Sequence, residues 1–221
     1  MKLLAIDTSY GICSVALEVD GQIYSKHLAE IRQSGQVLCL IDELLKTAGI
    51  SISALKAIAV SCGPGSFTGI RIAVSAAQGI AFAGGLPVVP ISSLAVLAQS
   101  AYERHGWTDI LTAMDARMQE IYFATWKVNP EGYVEVIDDE KLIIPSKISL
   151  SKEMNWYGVG DAWTHYPEQM AYRPRVIDAE ILPLAVFLLS LAKPFFSRGQ
   201  WVSAQDVVPT YLREMNPSVL A

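Results

Sequence analysis

The chain has 221 residues, of which 52% are hydrophobic and 18% are charged; such a chain can bury a full core, which excludes a generally disordered protein. The formal net charge is −5, from 17 Lys and Arg residues against 22 Asp and Glu residues. A protein that binds nucleic acid mainly through its own charge is normally basic, so the composition also argues against direct RNA binding by this chain alone.

The first half of the sequence predicts a three-stranded antiparallel meander followed by alternating helices and strands. Asp20-Gly21 is a hairpin signal between two apolar runs, and Ser34 is a suitable N-cap for the helix that follows. The short apolar run before Cys62 is typical of a buried parallel strand. The predicted strands are 2–7, 13–19, 22–29, 55–61 and 87–90, and the predicted helices are 34–48, 67–83 and 92–105.

The same pattern begins again near residue 110. At an offset of 108 residues Asp7 matches Asp115 and Val15 matches Phe123, and in both places an apolar strand ends in Asp before a turn and a returning strand. An offset near half of the chain is what a duplicated lobe gives. We therefore predict an α/β fold, the duplicated ribonuclease-H-like architecture of actin-like (ASKHA) proteins. The N-terminal lobe is expected at 1–106, and a smaller, degenerate C-terminal lobe at 107–221.

Within the second lobe the sequence predicts a strand at 155–159, a helix at 184–192 and an extended tail at 208–213. Neither export nor a membrane span is expected. The stretch 72–102 lacks charged residues, but Gly84-Gly85, Pro87 and Pro90 interrupt it, and a spanning helix needs roughly 20 predominantly apolar residues in one piece. The first residues carry too short an apolar run for a signal peptide. We expect a soluble, cytoplasmic protein.

Two segments are candidates for binding phosphate. One is the Asp-Thr-Ser turn after the first strand, and the other is the glycine-rich loop before the second helix, where backbone N–H groups can bind an anion. The candidate nucleotide or phosphate residues are Asp7, Thr8, Gly63, Gly65 and Ser66. The alternatives are an Asp that caps its own turn and a tight strand-to-helix connection. The matching turn at Asp115 lacks glycines, which makes it poorly suited to phosphate.

The helix predicted at 67–83 carries small residues at intervals of four. Two such rows let other backbones approach on two sides, one of which must be the sheet. The other side is available to a helix of another chain or to helix 34–48 of the same lobe. The rows are Gly69, Ala73, Ala77 and Ala81, and Ser75, Gly79 and Ala83.

The cysteines and histidines form no recognisable motif. Cys13, Cys39 and Cys62 are widely spaced without a Cys-x-x-Cys pair, and the three histidines include no His-x-x-x-His. We therefore predict no catalytic residue and no metal site in this chain.

Six segments carry a family resemblance: LLAIDT at 3–8, CSVAL at 13–17, GPGSFTGIR at 63–71, AAQG at 76–79, MDAR at 114–117 and PTYLR at 209–213. Together they resemble the TsaB (YeaZ) family, bacterial partner proteins in making N6-threonylcarbamoyladenosine in tRNA. The resemblance implies the actin-like fold. It also implies a non-catalytic subunit of the complex that modifies adenosine 37 of tRNAs reading ANN codons, where it supports the transferase TsaD and recruits the ATPase TsaE.

The resemblance has consequences for cofactors. TsaD holds its metal with two histidines four residues apart on a helix, and Ser93 and Leu97 stand at the matching positions here. Serine is a weak metal ligand and leucine is none. The resemblance thus implies no cofactor for the chain alone, ATP or ADP with Mg²⁺ only within the complex, and contact with tRNA only through the complex.

The resemblance also implies pairing through helices 34–48 and 67–83, either with TsaD or with a second copy of this chain. The residues expected at that interface are Val37, Ile41, Leu44, Gly69, Ala73, Ala76, Ala77 and Ile80. Two alternatives stay open. One is a small-molecule kinase or ATP-binding protein of the same fold, and the other is a metalloprotease of the kind once proposed for the wider family.

Overall fold

The computed structural model describes residues 1–29, 35–150 and 155–213, and its first half forms a five-stranded sheet covered by helices. The strand order is β3-β2-β1-β4-β5. The strands are β1 (Lys2–Asp7), β2 (Cys13–Val19), β3 (Gln22–Leu28), β4 (Ala57–Ser61) and β5 (Val88–Ile91), and the helices are α1 (Gly35–Ala48), α2 (Phe67–Gly84) and α3 (Ser93–His105).

The second half forms another five-stranded sheet, in the order β10-β9-β6-β7-β8. Its strands are β6 (Asp109–Asp115), β7 (Ile121–Val128), β8 (Val134–Ile143), β9 (Tyr157–Val159) and β10 (Val176–Asp178), and its helices are α4 (Ala162–His165) and α5 (Ala185–Ser197).

The two sheets repeat one topology. In each, the first three strands pair antiparallel, whereas the fourth pairs parallel with the first and the fifth parallel with the fourth. Asp7 ends β1 and Asp115 ends β6, at the offset of 108 residues seen in the sequence. The duplicated ribonuclease-H-like, actin-like α/β fold predicted from the sequence is therefore confirmed.

Local sequence explains where the central helices begin and end. Ser66 caps α2 by accepting from the Gly69 N–H, and Ser92 caps α3 by accepting from the N–H groups of Leu94 and Ala95. Each helix ends at a glycine in the left-handed region, Gly85 (φ 59°) and Gly106 (φ 71°). Ser34, the predicted cap of α1, lies outside the described residues.

Helices α3 and α5 cross between the two sheets. Helix α3 follows the first sheet in the chain but packs against β6, β7 and β8, whereas α5 packs back onto β1 and β2. At the start of α5, the Ala185 N–H donates to Ser14 Oγ at 2.9 Å, and near its end Lys193 pairs with the buried Glu18 at 2.6 Å. The predicted boundary at 106/107 separates the two sheets, although α3 and α5 pack across it. The division into two domains stays a prediction.

Some elements differ from the predicted ones. Helix α5 continues through Lys193 and Pro194 to Ser197, beyond the predicted end at Ala192. The charged strand β8 and the short elements β10 and α4 were not predicted from the sequence. Helix α2 has the length and the mean hydropathy, 1.2, of a membrane span, a test that core helices of soluble proteins also pass.

Candidate functional site

The glycine-rich loop at 62–69 is held tightly against the turn that follows β1. A Cβ added to Gly65 would lie 2.4 Å from the Ser9 carbonyl oxygen, and one added to Gly69 would lie 1.9 Å from the Thr8 carbonyl oxygen. The Ser66 N–H donates to the Ser9 carbonyl at 2.8 Å, and the Thr8 hydroxyl donates to the Gly69 carbonyl. These glycines therefore serve close backbone packing between two segments of the chain.

Asp7 lies beneath this turn and has no exposed surface. Its Oδ1 accepts from the Ser9 N–H at 2.8 Å and from the Ser9 hydroxyl at 2.7 Å, whereas its Oδ2 has no hydrogen-bond partner. Burial raises the pKa of Asp7 from 3.8 to about 6, against the lowering effect of the bonds from Ser9. The arrangement is the Asp-capped turn that the sequence left open as an alternative.

The cleft between the sheets has a volume of about 510 Å³ and reaches only part of the predicted phosphate set. Gly65 and Ser66 line it, whereas Asp7, Thr8 and Gly63 are buried away from it. The backbone N–H of Ser66 is already bonded to Ser9. Packing of the loop on the turn covers Asp7, Thr8 and Gly63, so only Gly65 and Ser66 reach the cleft. The assignment of these five residues to phosphate binding stays a prediction.

The opposite wall of the cleft is a polar cluster around Asp115, at the end of β6. Its Oδ1 accepts from the Arg117 N–H and from the Tyr166 hydroxyl, each at 2.8 Å, and its Oδ2 pairs with the Arg117 guanidinium at 3.0 Å. His165 Nδ1 lies 3.7 Å from the same oxygen. The contact with Asp115 raises the pKa of Tyr166, which donates to it.

Asp161 connects this cluster to the first half of the chain. Its Oδ1 accepts from the Asp115 N–H at 2.9 Å, and its own N–H donates to the Tyr10 hydroxyl at 2.8 Å. Burial and the nearby Asp161 carboxylate raise the pKa of Tyr10 above its usual range. The sequence alone did not predict this role of Asp161. The Gly160-Asp161 turn at the end of a parallel strand next to β6 was the signal that could have found it.

The turn after Asp115 has an uncommon backbone. Arg117, Met118 and Gln119 all have positive φ angles, 61°, 57° and 61°, although none is glycine. Each costs about 1–2 kcal/mol relative to the right-handed conformation. Arg213 of the tail steadies this turn, because its guanidinium donates to the Ala116 carbonyl at 3.1 Å and pairs with Glu120 at 2.6 Å.

Helix α2 places its two rows of small residues on opposite sides. The row Gly69, Ala73, Ala77 and Ala81 is buried in the core with β4, and the row Ser75, Gly79 and Ala83 is exposed. Most of the residues predicted for a partner interface hold the two helices on their own sheet, and their part in an interface stays a prediction. The buried members of that set are Val37, Ile41, Leu44, Gly69, Ala73, Ala77 and Ile80, whereas Ala76 is half-buried.

The outward face of α1 and α2 is apolar at several places. Leu38 and Phe67 are each about half exposed, and Phe82 is 83% exposed. Leu38 and Phe67 line a shallow groove of about 530 Å³ together with Ser75 and Ala76. The Arg71 guanidinium stacks 3.6 Å from the Phe67 ring centroid, which fixes one edge of this face.

Ser93 and Leu97 lie inside the core. Both have no exposed surface, and the Ser93 hydroxyl shares a hydrogen bond with the Ser61 hydroxyl at 2.8 Å. Within residues 1–29, 35–150 and 155–213, no group of three or more His, Cys, Asp or Glu side chains is placed to hold a metal ion.

Sequence comparisons find relatives across nearly the whole chain. The tRNA threonylcarbamoyladenosine biosynthesis protein TsaB of Escherichia coli (strain K12) is 35% identical over 221 residues, covering 96% of this chain and 95% of that protein. The protein of the same name from Haemophilus influenzae is 35% identical over 222 residues, covering 96% of this chain and 94% of that protein. A solved structure of YeaZ from Pseudomonas aeruginosa superposes with a TM-score of 0.91 at 40% identity, covering 96% of this chain and 99% of that chain.

A second group of relatives matches part of the chain. The sequence model of the family TsaD, tRNA N6-adenosine threonylcarbamoyltransferase, matches residues 27–151. The tRNA N6-adenosine threonylcarbamoyltransferase of Geobacillus thermodenitrificans is 39% identical over 74 residues, which cover 34% of this chain and 20% of that enzyme. Residues 27–151 are therefore similar in sequence to a transferase family.

Proposed function

The chain belongs to the TsaB (YeaZ) family, and from this membership we propose that it acts in tRNA threonylcarbamoyladenosine biosynthesis as a non-catalytic subunit that binds TsaD. The observation that carries the proposal is the outward face of α2. A row of small residues runs along it beside exposed apolar side chains, and another helix can pack closely there.

The geometry of Gly79 supports a helix-on-helix contact. This residue is exposed in the middle of α2, and a Cβ added there would meet nothing within 4 Å. Glycine within a helix costs roughly 0.5–1 kcal/mol relative to alanine, and the chain's own packing gives no reason for it here. A partner backbone at this position would use the missing side chain.

The tail strengthens the same face. Tyr211 lies with its ring centroid 5.9 Å from that of Phe67, and its hydroxyl accepts from the Arg71 side chain at 2.9 Å. Nearer the C-terminal end of α2, the Gln78 side-chain amide donates to the Val207 carbonyl at 2.8 Å. These contacts hold exposed aromatic and cationic groups in place before any partner binds, which lowers the entropy cost of association.

The non-catalytic part of the proposal rests on the metal-binding helix implied by the resemblance. Leu97 offers no ligand atom, and the Ser93 hydroxyl already bonds with Ser61 inside the core. The contacts of Asp7 and Thr8 give no support to a Mg²⁺–nucleotide site at that turn. We keep ATP or ADP binding as a property proposed for the complex.

The test is co-purification of TsaD with variants of the outward face. We expect Gly79→Glu to lose TsaD on gel filtration while its thermal unfolding stays close to that of the wild type. The matched control is Gln169→Glu, which adds the same charge at an exposed position in the second half and should retain TsaD. Co-elution of Gly79→Glu with TsaD at the wild-type ratio would contradict the proposal.

Cellular function is tested by depleting the protein in its own host and quantifying threonylcarbamoyladenosine in digested tRNA by mass spectrometry. We expect the nucleoside to fall, and to recover with the wild-type chain but not with Gly79→Glu. An unchanged nucleoside level after depletion would contradict the role in this pathway.

We propose that self-association and TsaD binding use the same outward face and therefore exclude each other. Light scattering should show a homodimer of the isolated chain that TsaD converts into a heterodimer. Recruitment of TsaE, contact with tRNA only through the complex and residence in the cytoplasm belong to the same proposal. Ternary pull-downs and fractionation of cells test them.

A further inference from the structure

A second cavity lies between the two sheets and shares no lining residue with the cleft at Asp115. It is bounded by the end of β5, the start of α3, the β7–β8 hairpin and the end of α5, and its volume is about 440 Å³. Ligand pockets typically hold 300–1,000 Å³, so this cavity suits a small molecule.

The walls of the cavity are mainly apolar and aromatic. Trp126 is almost fully buried, and Pro194 stands in the last turn of α5 beside Phe195. Aromatic faces attract cations as well as apolar groups, because the ring quadrupole is negative over its face. The apolar and aromatic side chains of this lining include Ile91, Trp126, Tyr133, Leu191, Pro194 and Phe195.

Glu140 brings a carboxylate into this apolar surrounding. The Ser92 hydroxyl donates to its Oε1, and within the described part of the chain no Lys, Arg or His forms an ion pair with it. Burial raises the pKa of Glu140, and the bond from Ser92 offsets only part of that effect. Arg198, which also lines the cavity, is paired with Glu131 at 3.0 Å.

We propose that this cavity binds a small organic cation, whose ammonium group pairs with the Glu140 carboxylate while its apolar body packs on Trp126 and Phe195. A bound cation supplies the counter-charge that no Lys, Arg or His of the described residues provides to Glu140. Anions are disfavoured, because Glu135 and Asp139 add negative charge to the lining.

The experiment is a titration of the full chain with phenethylammonium, followed by two-dimensional ¹⁵N–¹H NMR. We expect shifts at Ser92, at Glu140 and at the Trp126 indole N–H that saturate at about 10 mM ligand or below. The neutral isostere 2-phenylethanol should bind at least tenfold more weakly, and this comparison needs no variant of the protein.

Two variants locate the effect. Glu140→Gln keeps the shape and an acceptor for Ser92, and it should weaken binding at least tenfold. The control Asp138→Asn removes a charge from the same strand outside the cavity lining and should change the affinity by less than twofold. Equal affinities for the amine and the alcohol, or shifts that do not saturate at about 10 mM, would overturn the proposal. Tighter binding of Nα-acetyl-lysine N-methylamide than of phenethylammonium would overturn the choice of a small molecule, in favour of a lysine side chain of another protein.

Discussion

The Thr8 carbonyl oxygen and the α-carbon of Gly69 approach so closely that a Cβ on Gly69 would lie 1.9 Å from that oxygen. The Thr8 hydroxyl in turn donates to the Gly69 carbonyl. This mutual contact joins the first turn of α2 to the turn after β1. It gives the glycine-rich loop a structural role that does not depend on any ligand.

Gly69→Ala should therefore destabilise the protein strongly. The new methyl group collides with backbone rather than with a flexible side chain, so the turn or the helix must move, at a cost of about 3 kcal/mol. Urea unfolding of the wild type and the variant measures the difference. Gly79→Ala is the matched control on the same helix, and we expect it to be neutral or stabilising by about 0.5 kcal/mol. Equal losses in the two variants would refute the close-packing argument.

The two faces of α2 predict opposite outcomes for the same substitution. Ala77 is fully buried, so Ala77→Glu places an unpaired charge in the core and should unfold the protein, at a cost of about 4 kcal/mol or more. Ser75 is exposed, so Ser75→Glu should leave the free energy of unfolding within about 0.5 kcal/mol of the wild-type value.

Circular dichroism and thermal melts of the two variants test this difference. Ser75→Glu should in addition lose TsaD, because it adds a charge to the outward face. A folded Ala77→Glu protein with selective loss of TsaD would instead support the interface residues predicted from the sequence.

The choice between these faces shows where the sequence pattern was insufficient. Spacing by four identifies two rows of small residues, but it does not say which row meets the sheet. The larger neighbours held that information, because Ile70 and Val74 flank the buried row, whereas Arg71 lies on the exposed side. The meander and the duplication were predictable, because alternating apolar strands and the Asp20-Gly21 turn depend on local sequence.

The cluster at Asp115 could not be assembled from the sequence in the same way. Asp161 reaches the Asp115 N–H across 46 positions, and Tyr10 reaches Asp161 across 151 positions. The contact between Asp161 and Asp115 depends on β9 lying beside β6, which the strand pairing of a repeated fold supplies. The contact between Tyr10 and Asp161 also requires that one half of the chain packs on the other.

Tyr10→Phe should loosen the connection between the two halves. The substitution leaves the partly buried Asp161 N–H without its acceptor, and an unsatisfied buried donor costs about 1–3 kcal/mol. We expect a lower urea midpoint and faster amide hydrogen exchange at Asp161 and Asp115 than in the wild type. Unchanged exchange at both amides would show that the Tyr10 hydroxyl does not hold this contact.

The buried Asp7 carboxyl makes the stability of the protein depend on pH. Its pKa is about 6 in the folded protein and 3.8 when unperturbed, so between these values the folded state binds more protons than the unfolded state. The contribution of Asp7 is therefore fully present below about pH 4 and is lost as the pH rises through about 6. The difference corresponds to roughly 3 kcal/mol.

Asp7→Asn isolates this contribution, because an amide keeps the acceptor for Ser9 and cannot ionise. We expect the free energy of unfolding of the variant, relative to that of the wild type, to rise by about 2–3 kcal/mol between pH 4 and pH 7.5. Urea unfolding at several pH values measures both proteins and cancels the other titrating groups. Parallel curves across this range would mean that Asp7 ionises in the folded state as readily as in the unfolded one.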